Sequence, residues 1–112
     1  MFGSLGDLMG LLGNLGKIGK DFENVNGELK QQRLEASAGG EQVKVVLNGL
    51  GDLVDINISP ALAGSGDVEM LEDLIKSAFA SAQEQSRQLG REQMSKVLEG
   101  LPLGPLKALL GQ

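Results

Sequence analysis

Cysteine, histidine, tryptophan and tyrosine are absent from the 112 residues, and the aromatic side chains are three phenylalanines. Without cysteine there is no disulfide framework, no zinc knuckle and no thiol nucleophile. Without histidine the commonest general base and the commonest metal ligand are missing. The missing thiols fit a reducing cytoplasm. Long apolar runs are missing too. The most weakly charged stretch, residues 1–14, is broken by Asp7 and is shorter than the ~20 apolar residues of a membrane span. It has no basic n-region, so no secretory leader is expected. Positive charge is in short supply: ten Lys and Arg face fifteen Asp and Glu, giving a net charge of −5 and a pI near 4.6. That balance argues against nucleic acid as a partner, since most nucleic-acid binders are basic. The reading is of a soluble, intracellular protein with no membrane association.

What is present reads as one globular domain. Hydrophobic residues make up 41% of the chain and charged residues 22%, a folded rather than a disordered composition. The first third carries a heptad. With Leu8 at position a, the a sites are Leu8, Leu15, Phe22 and Leu29, and the d sites are Leu11, Ile18, Val25 and Gln32. This is a narrow helical seam rather than a broad core face. Charges of alternating sign lie off the seam, as on a solvated helix. Gly6, Gly10, Gly13, Gly16 and Gly19 also lie off it, and each costs roughly 1 kcal/mol against alanine in a helix interior. The helix is therefore expected to be frayed or flexible before residue 17, unless the small residues serve close helix packing.

The period then changes from 3.5 to 2. Leu34, Ala36 and Ala38 alternate with polar residues, as do Val43, Val45 and Leu47, and then Val54, Ile56 and Ile58. Gly39-Gly40 and Asn48-Gly49 mark turns, and Pro60 ends the last run. Three short antiparallel strands, 34–38, 42–48 and 53–58, follow as a meander. Residues 61–66 read as a loop. Asp67 is placed to cap a second long helix running to Glu99, with Glu69, Glu72 and Asp73 at its positive end. Its apolar stripe is Val68, Leu71, Ile75, Ala78, Ala82 and Leu89, widened by Leu74 and Phe79. Gly100, Pro102 and Pro105 stop it. The division is a flexible Gly-rich segment at 1–16, an α-β-β-β-α domain at 17–100 and an apolar Gly/Pro tail at 101–112. A three-stranded sheet is too small to cover two such helices, and an exposed stripe normally marks an interface. An oligomer follows, most simply a two-fold dimer.

The blocks Val43-Lys44-Val45-Val46-Leu47-Asn48-Gly49, Val54 through Leu62 and Met70 through Phe79 resemble the YbaB/EbfC nucleoid-associated proteins, as do the opening Met1-Phe2-Gly3 and the Gly100-Leu101-Pro102 tail. The resemblance spans about residues 17–105 and rests on the order and spacing of the blocks. It implies an α+β protomer of helix, three-stranded antiparallel sheet and helix. It also implies an intertwined, tweezers-like homodimer joined through paired sheets, binding of duplex DNA with little sequence preference, and a place in the bacterial nucleoid. Many proteins of that family are acidic. Three positions depart from its pattern. Glu41 stands where glycine is usual, Ser59 where aspartate is usual before the proline, and Ala80 where asparagine is frequent. The first bears on the hairpin, the others on a local hydrogen bond or cap.

The residues available for phosphate contacts are Lys17, Lys20, Lys30 and Arg33 on the first helix and Arg87, Arg91 and Lys96 on the second. Between Lys76 and Lys96 the local balance is +2, while residues 1–35 balance to −1. Arg87 and Arg91 are i,i+4 like charges, which hints at a partner. The alternative for each residue is an ordinary solvated helix face. For the seam and strand residues Leu15, Ile18, Phe22, Val25, Leu29, Val43, Val45 and Leu47, a dimer or packing seam stands against the core face of a monomer. No phenylalanine sits in a basic patch, so base stacking on single strands is not expected. The acids at 67–73 lack the spacing of a calcium loop and are explained by a helix start. Asn48-Gly49-Leu50-Gly51 lacks the Lys-Ser/Thr of a P-loop. No catalytic residues, cofactor, metal or small-molecule substrate are expected. The expectation is a DNA-binding homodimer of the cytoplasm and nucleoid. The alternative is a scaffolding dimer that holds a protein partner and contacts DNA only weakly.

Overall fold

A computed structural model describes residues 5–99. The order is α1 (Leu5–Gln31), β1 (Leu34–Ala38), β2 (Val43–Leu47), β3 (Leu53–Ile58), α2 (Pro60–Ala63) and α3 (Val68–Glu99). This is the expected α+β sequence of helix, three-stranded antiparallel sheet and long helix. The molecule is elongated, 71 × 27 × 16 Å, because α3 alone runs for about 48 Å at 1.5 Å per residue. α1 is helical from Leu5, ahead of the boundary at residue 17 suggested by its glycines. Residues 1–4 and the apolar tail expected at 101–112 lie outside the described residues.

The sheet has the order β1-β2-β3. Ala36 stands opposite Val45, which stands opposite Ile56, and Ala38, Val43 and Ile58 form the next row. The three alternating runs therefore share one apolar face. A bulge between Val46 and Leu47 brings Leu53 opposite Leu47. α3 lies across β1 and β2 on that face. The core is Ala36, Val43, Val45, Leu47 and Leu62 against Ala78 and Ala82, with Leu71, Leu74, Ile75 and Phe79 packed around it. Alanine at 78 and 82, one helical turn apart, lets the helix axis approach the strands. Each buried valine or leucine here contributes roughly 1.5–3 kcal/mol. Val43, Val45 and Leu47 are fully buried within the one chain. Every residue of β3 is exposed. β3 has β2 on one side and an unpaired edge on the other.

Two local features differ from the sequence expectation. Residues 60–63 form a single helical turn rather than loop. The Ser59 hydroxyl accepts from the Leu62 amide at 3.1 Å, and Pro60 is preset for the first helical position. The serine at the usual aspartate position thus keeps the cap. In the β1–β2 hairpin, Gly39, Gly40 and Glu41 all have positive φ, the last at 71°. The glutamate occupies backbone space that favours glycine. At the start of α3, Asp67 Oδ1 accepts from the Met70 amide at 3.0 Å, the cap expected of it.

Candidate nucleic-acid interface

The base of the helix pair is set by the β2–β3 turn. Asn48 is buried. Its Oδ1 accepts from the Leu50 amide at 2.9 Å and the Asp52 amide at 3.0 Å, while its Nδ2 donates to Asp52 Oδ2 at 3.2 Å. An asparagine that bonds to backbone two residues on is a turn former by its own chemistry. The next residue, Gly49, donates its N–H to the Leu29 carbonyl at 2.8 Å, and its own carbonyl accepts from the buried Ser86 hydroxyl at 3.1 Å. One glycine thereby ties the last turn of α1 to the middle of α3. A Cβ there would stand 2.7 Å from the Leu29 carbonyl oxygen. Glycine is demanded by the closeness of the two backbones.

From this base α1 and α3 run antiparallel. Ile18, Phe22 and Val25 on α1 are half-buried and Leu29 is buried, and on α3 Val97 is buried. Between the helices lies an open groove of about 240 Å³, lined by Lys17, Asp21, Asn24 and Val25 of α1 and by Gln93, Lys96 and Val97 of α3. Lys17, Asp21 and Asn24 follow one another at i, i+4 and i+7. Gln93, Lys96 and Val97 follow at i, i+3 and i+4. Both sets therefore face the same side of their helix. Two lysines from opposite ends of the sequence line one cleft. Among the described residues, neither has a carboxylate within 4.0 Å.

The other expected phosphate contacts are distributed differently. Lys20, Lys30, Arg33 and Arg87 are exposed. Arg33 turns its guanidinium onto the carbonyls of Lys30 and Gln32, closing the end of α1. Arg91 is held by Glu84 at 3.1 Å in a pair exposed on both sides, so its charge is partly spent within the helix. Of the expected seam residues, Leu15 is half exposed, at 53%. The sequence reading did not anticipate Asn24 and Gln93 in the groove or Ser86 beneath it. The first two could have been found by asking which polar residues share a helix face with Lys17 and Lys96. Among the described residues, no three His, Cys, Asp or Glu side chains gather as metal ligands. No described helix is long and apolar enough to cross a membrane.

The groove is lined by two cations and one carboxylate, Asp21, and by the side-chain amides of Asn24 and Gln93. Its polar groups carry no pattern of donors and acceptors fixed by burial. Such a surface suits phosphate rather than a base edge.

Comparison with known proteins places these features. The sequence profile of the YbaB/EbfC DNA-binding family matches residues 5–101. A nucleoid-associated protein of Agrobacterium fabrum is 37% identical over 99 residues, covering 88% of this chain and 92% of that protein. One from Moorella thermoacetica is 45% identical over 76 residues, covering 68% of this chain and 73% of its own. Among solved structures, an uncharacterized protein from Helicobacter pylori superposes with a TM-score of 0.71 at 27% identity, over 87% of this chain and 98% of that one.

Proposed function

From the premise that this chain belongs to the YbaB/EbfC DNA-binding family, we propose that it binds duplex DNA as a homodimer through phosphate contacts with little sequence preference. It would act in the nucleoid of the bacterial cytoplasm, influencing nucleoid organisation and gene expression, and would carry out no catalysis. The observation that carries the reading is the groove lined by both Lys17 and Lys96, neither of which has a carboxylate within 4.0 Å among the described residues. Lys20 adds an exposed cation one turn from Lys17 on α1. The dimer reading rests on β3. Its edge is unpaired and all six residues are exposed, although Ile56 and Ile58 continue the apolar face on which Val45 and Val43 are buried. An exposed apolar edge strand pairs readily, and a second copy would supply the same strand about a two-fold axis. Two protomers would then present two grooves to one duplex.

The test is fluorescence anisotropy of untagged protein on a labelled random duplex, titrated with salt from about 0.05 M upward, where each neutralised phosphate contributes a log–log slope of roughly −0.9. Light scattering establishes the oligomer in the same samples. Lys17→Glu with Lys96→Glu is expected to abolish binding and leave the dimer intact. Unchanged affinity in that variant refutes the groove as the contact surface. Absence of binding by the parent dimer at low salt refutes DNA binding as an intrinsic activity.

A further inference from the structure

The apolar stripe of α1 continues past the end of its partner helix. The described part of α3 ends at Glu99, level with the turn of α1 that holds Lys17, because Lys96 and Val97 line the groove beside Lys17 and Asp21. N-terminal to that level, Leu5, Leu8, Met9, Leu12 and Leu15 are all exposed, from 42% at Leu8 to 74% at Leu5. They lie at i, i+3, i+4, i+7 and i+10, one face of the helix. Beside them Gly10, Gly13 and Gly16 leave open space where a side chain would sit. A helix face this apolar is not left to water without a partner.

We propose that this face is covered by the chain's own segment 101–110. That segment follows Glu99, the last described residue of α3, in the sequence. It contains Leu101, Leu103, Leu106, Leu109 and Leu110 with a single charge, Lys107. The face from Leu15 to Leu5 is about 15 Å long at 1.5 Å per residue. Ten residues span that length as a helix and about 31 Å if extended at 3.1 Å per residue, so the reach is sufficient in either conformation. Leu106, Leu109 and Leu110 stand at i, i+3 and i+4 and form one apolar edge.

The absence of cysteine makes the test direct. Leu8→Cys or Leu12→Cys is combined in the full chain with Leu106→Cys or Leu109→Cys, and each double variant is oxidised in a mixture of heavy and light isotope-labelled protein. A bond between peptides of the same isotope, found in at least one pairing, supports the proposal. Bonds between mixed isotopes overturn it in favour of a second copy as the occupant, and no bond in any pairing overturns it outright. Should the substitutions disturb folding, hydrogen exchange on the chain ended after Gly100 serves instead. Amides of residues 5–16 are expected to exchange at least ten-fold faster than in the full chain, with β2 unchanged. Equal rates overturn the proposal. Neither measurement reads DNA binding, so its result is independent of the function proposed above.

Discussion

Gly49→Ala tests the geometry on which the helix pair depends. The added methyl would meet the Leu29 carbonyl oxygen at 2.7 Å, Leu29 Cδ2 at 2.9 Å and Leu29 Cα at 3.0 Å. Two of these atoms are the backbone of the last α1 turn and cannot swing aside. The turn must therefore part from α1. Overpacking of this kind costs about 1–3 kcal/mol, and loss of the Gly49 N–H to Leu29 carbonyl bond adds about 1 kcal/mol. A destabilisation of roughly 2–4 kcal/mol is expected, and for a domain of this size it lowers Tm by roughly 8–30 °C. Thermal unfolding followed by circular dichroism at one fixed protomer concentration gives the answer, since the Tm of an oligomer depends on concentration. Gly13→Ala is the control. The same chemical change is made in a helix where a Cβ meets nothing within 4 Å, and Tm is expected to rise. If Gly49→Ala lowers Tm by less than about 3 °C, well under the shift for 1 kcal/mol, the close approach does not dictate glycine and the reasoning fails.

Other perturbations follow from the same contacts. Glu41→Gly relieves a left-handed backbone that costs an L-residue about 1–2 kcal/mol, so Tm is expected to rise by several degrees; an unchanged or lower Tm shows that the hairpin is not strained. Gly13→Ala and Gly16→Ala together should stabilise the N-terminal part of α1 by about 2 kcal/mol, read as slower amide exchange over residues 5–20. Equal exchange would mean that the segment is already held by its surroundings. Ser86→Ala leaves the Gly49 carbonyl without its partner in a buried setting, at a cost of about 1–3 kcal/mol, measured as a lower urea midpoint with unchanged m.

The strands were legible almost to the residue, because each is a period-2 run bounded by glycine, asparagine or proline. What the pattern could not say is which run is covered. Val43, Val45 and Leu47 alternate as Val54, Ile56 and Ile58 do, yet the first three are fully buried and the second three exposed. Alternation encodes an amphipathic face; the neighbour that covers it is set by where α3 crosses the sheet. The stripe of α3 was readable from Leu71 through Ala82 to the half-buried Leu89, but Val68 is exposed and Ser86 was missed, since it is polar by composition but buried by its bond to Gly49. Likewise seven of the ten cations were candidates for phosphate contacts from the sequence. Nothing local indicates that Arg91 is drawn to Glu84 while Lys17 and Lys96, from opposite ends of the chain, share a groove. The turn at Pro60 was missed because proline was read as the end of a strand, when it also opens α2.

The net charge of −5, taken over the whole chain, stands against the proposed partner, and the length of the molecule removes the conflict. Asp67, Glu69, Glu72 and Asp73 sit at the start of α3, by the hairpin, where Leu74 meets Gly39. Between Glu72 and Lys96 the helix advances about 36 Å at 1.5 Å per residue. At physiological ionic strength the Debye length is about 8 Å, so a phosphate held at the groove is screened from that acidic end by more than four such lengths. It responds to the local charges, where Lys17, Lys20, Arg87, Arg91 and Lys96 balance Asp21, Glu23, Glu84, Glu92 and Glu99, so the net negative charge of the chain is not felt there. At 0.01 M salt the Debye length grows to about 30 Å, and the acidic end begins to repel the same duplex. Affinity is therefore expected to rise as salt falls toward about 0.05 M and then to level off or decline, instead of following one straight log–log line as it would for a uniformly basic protein. Replacing Glu69, Glu72 and Asp73 together by glutamine or asparagine should restore the line at low salt and leave the affinity at 0.15 M unchanged. A parent plot that is straight down to 0.01 M would mean that the acidic end does not act on the duplex, and that its separation along α3 is not what reconciles an acidic chain with DNA.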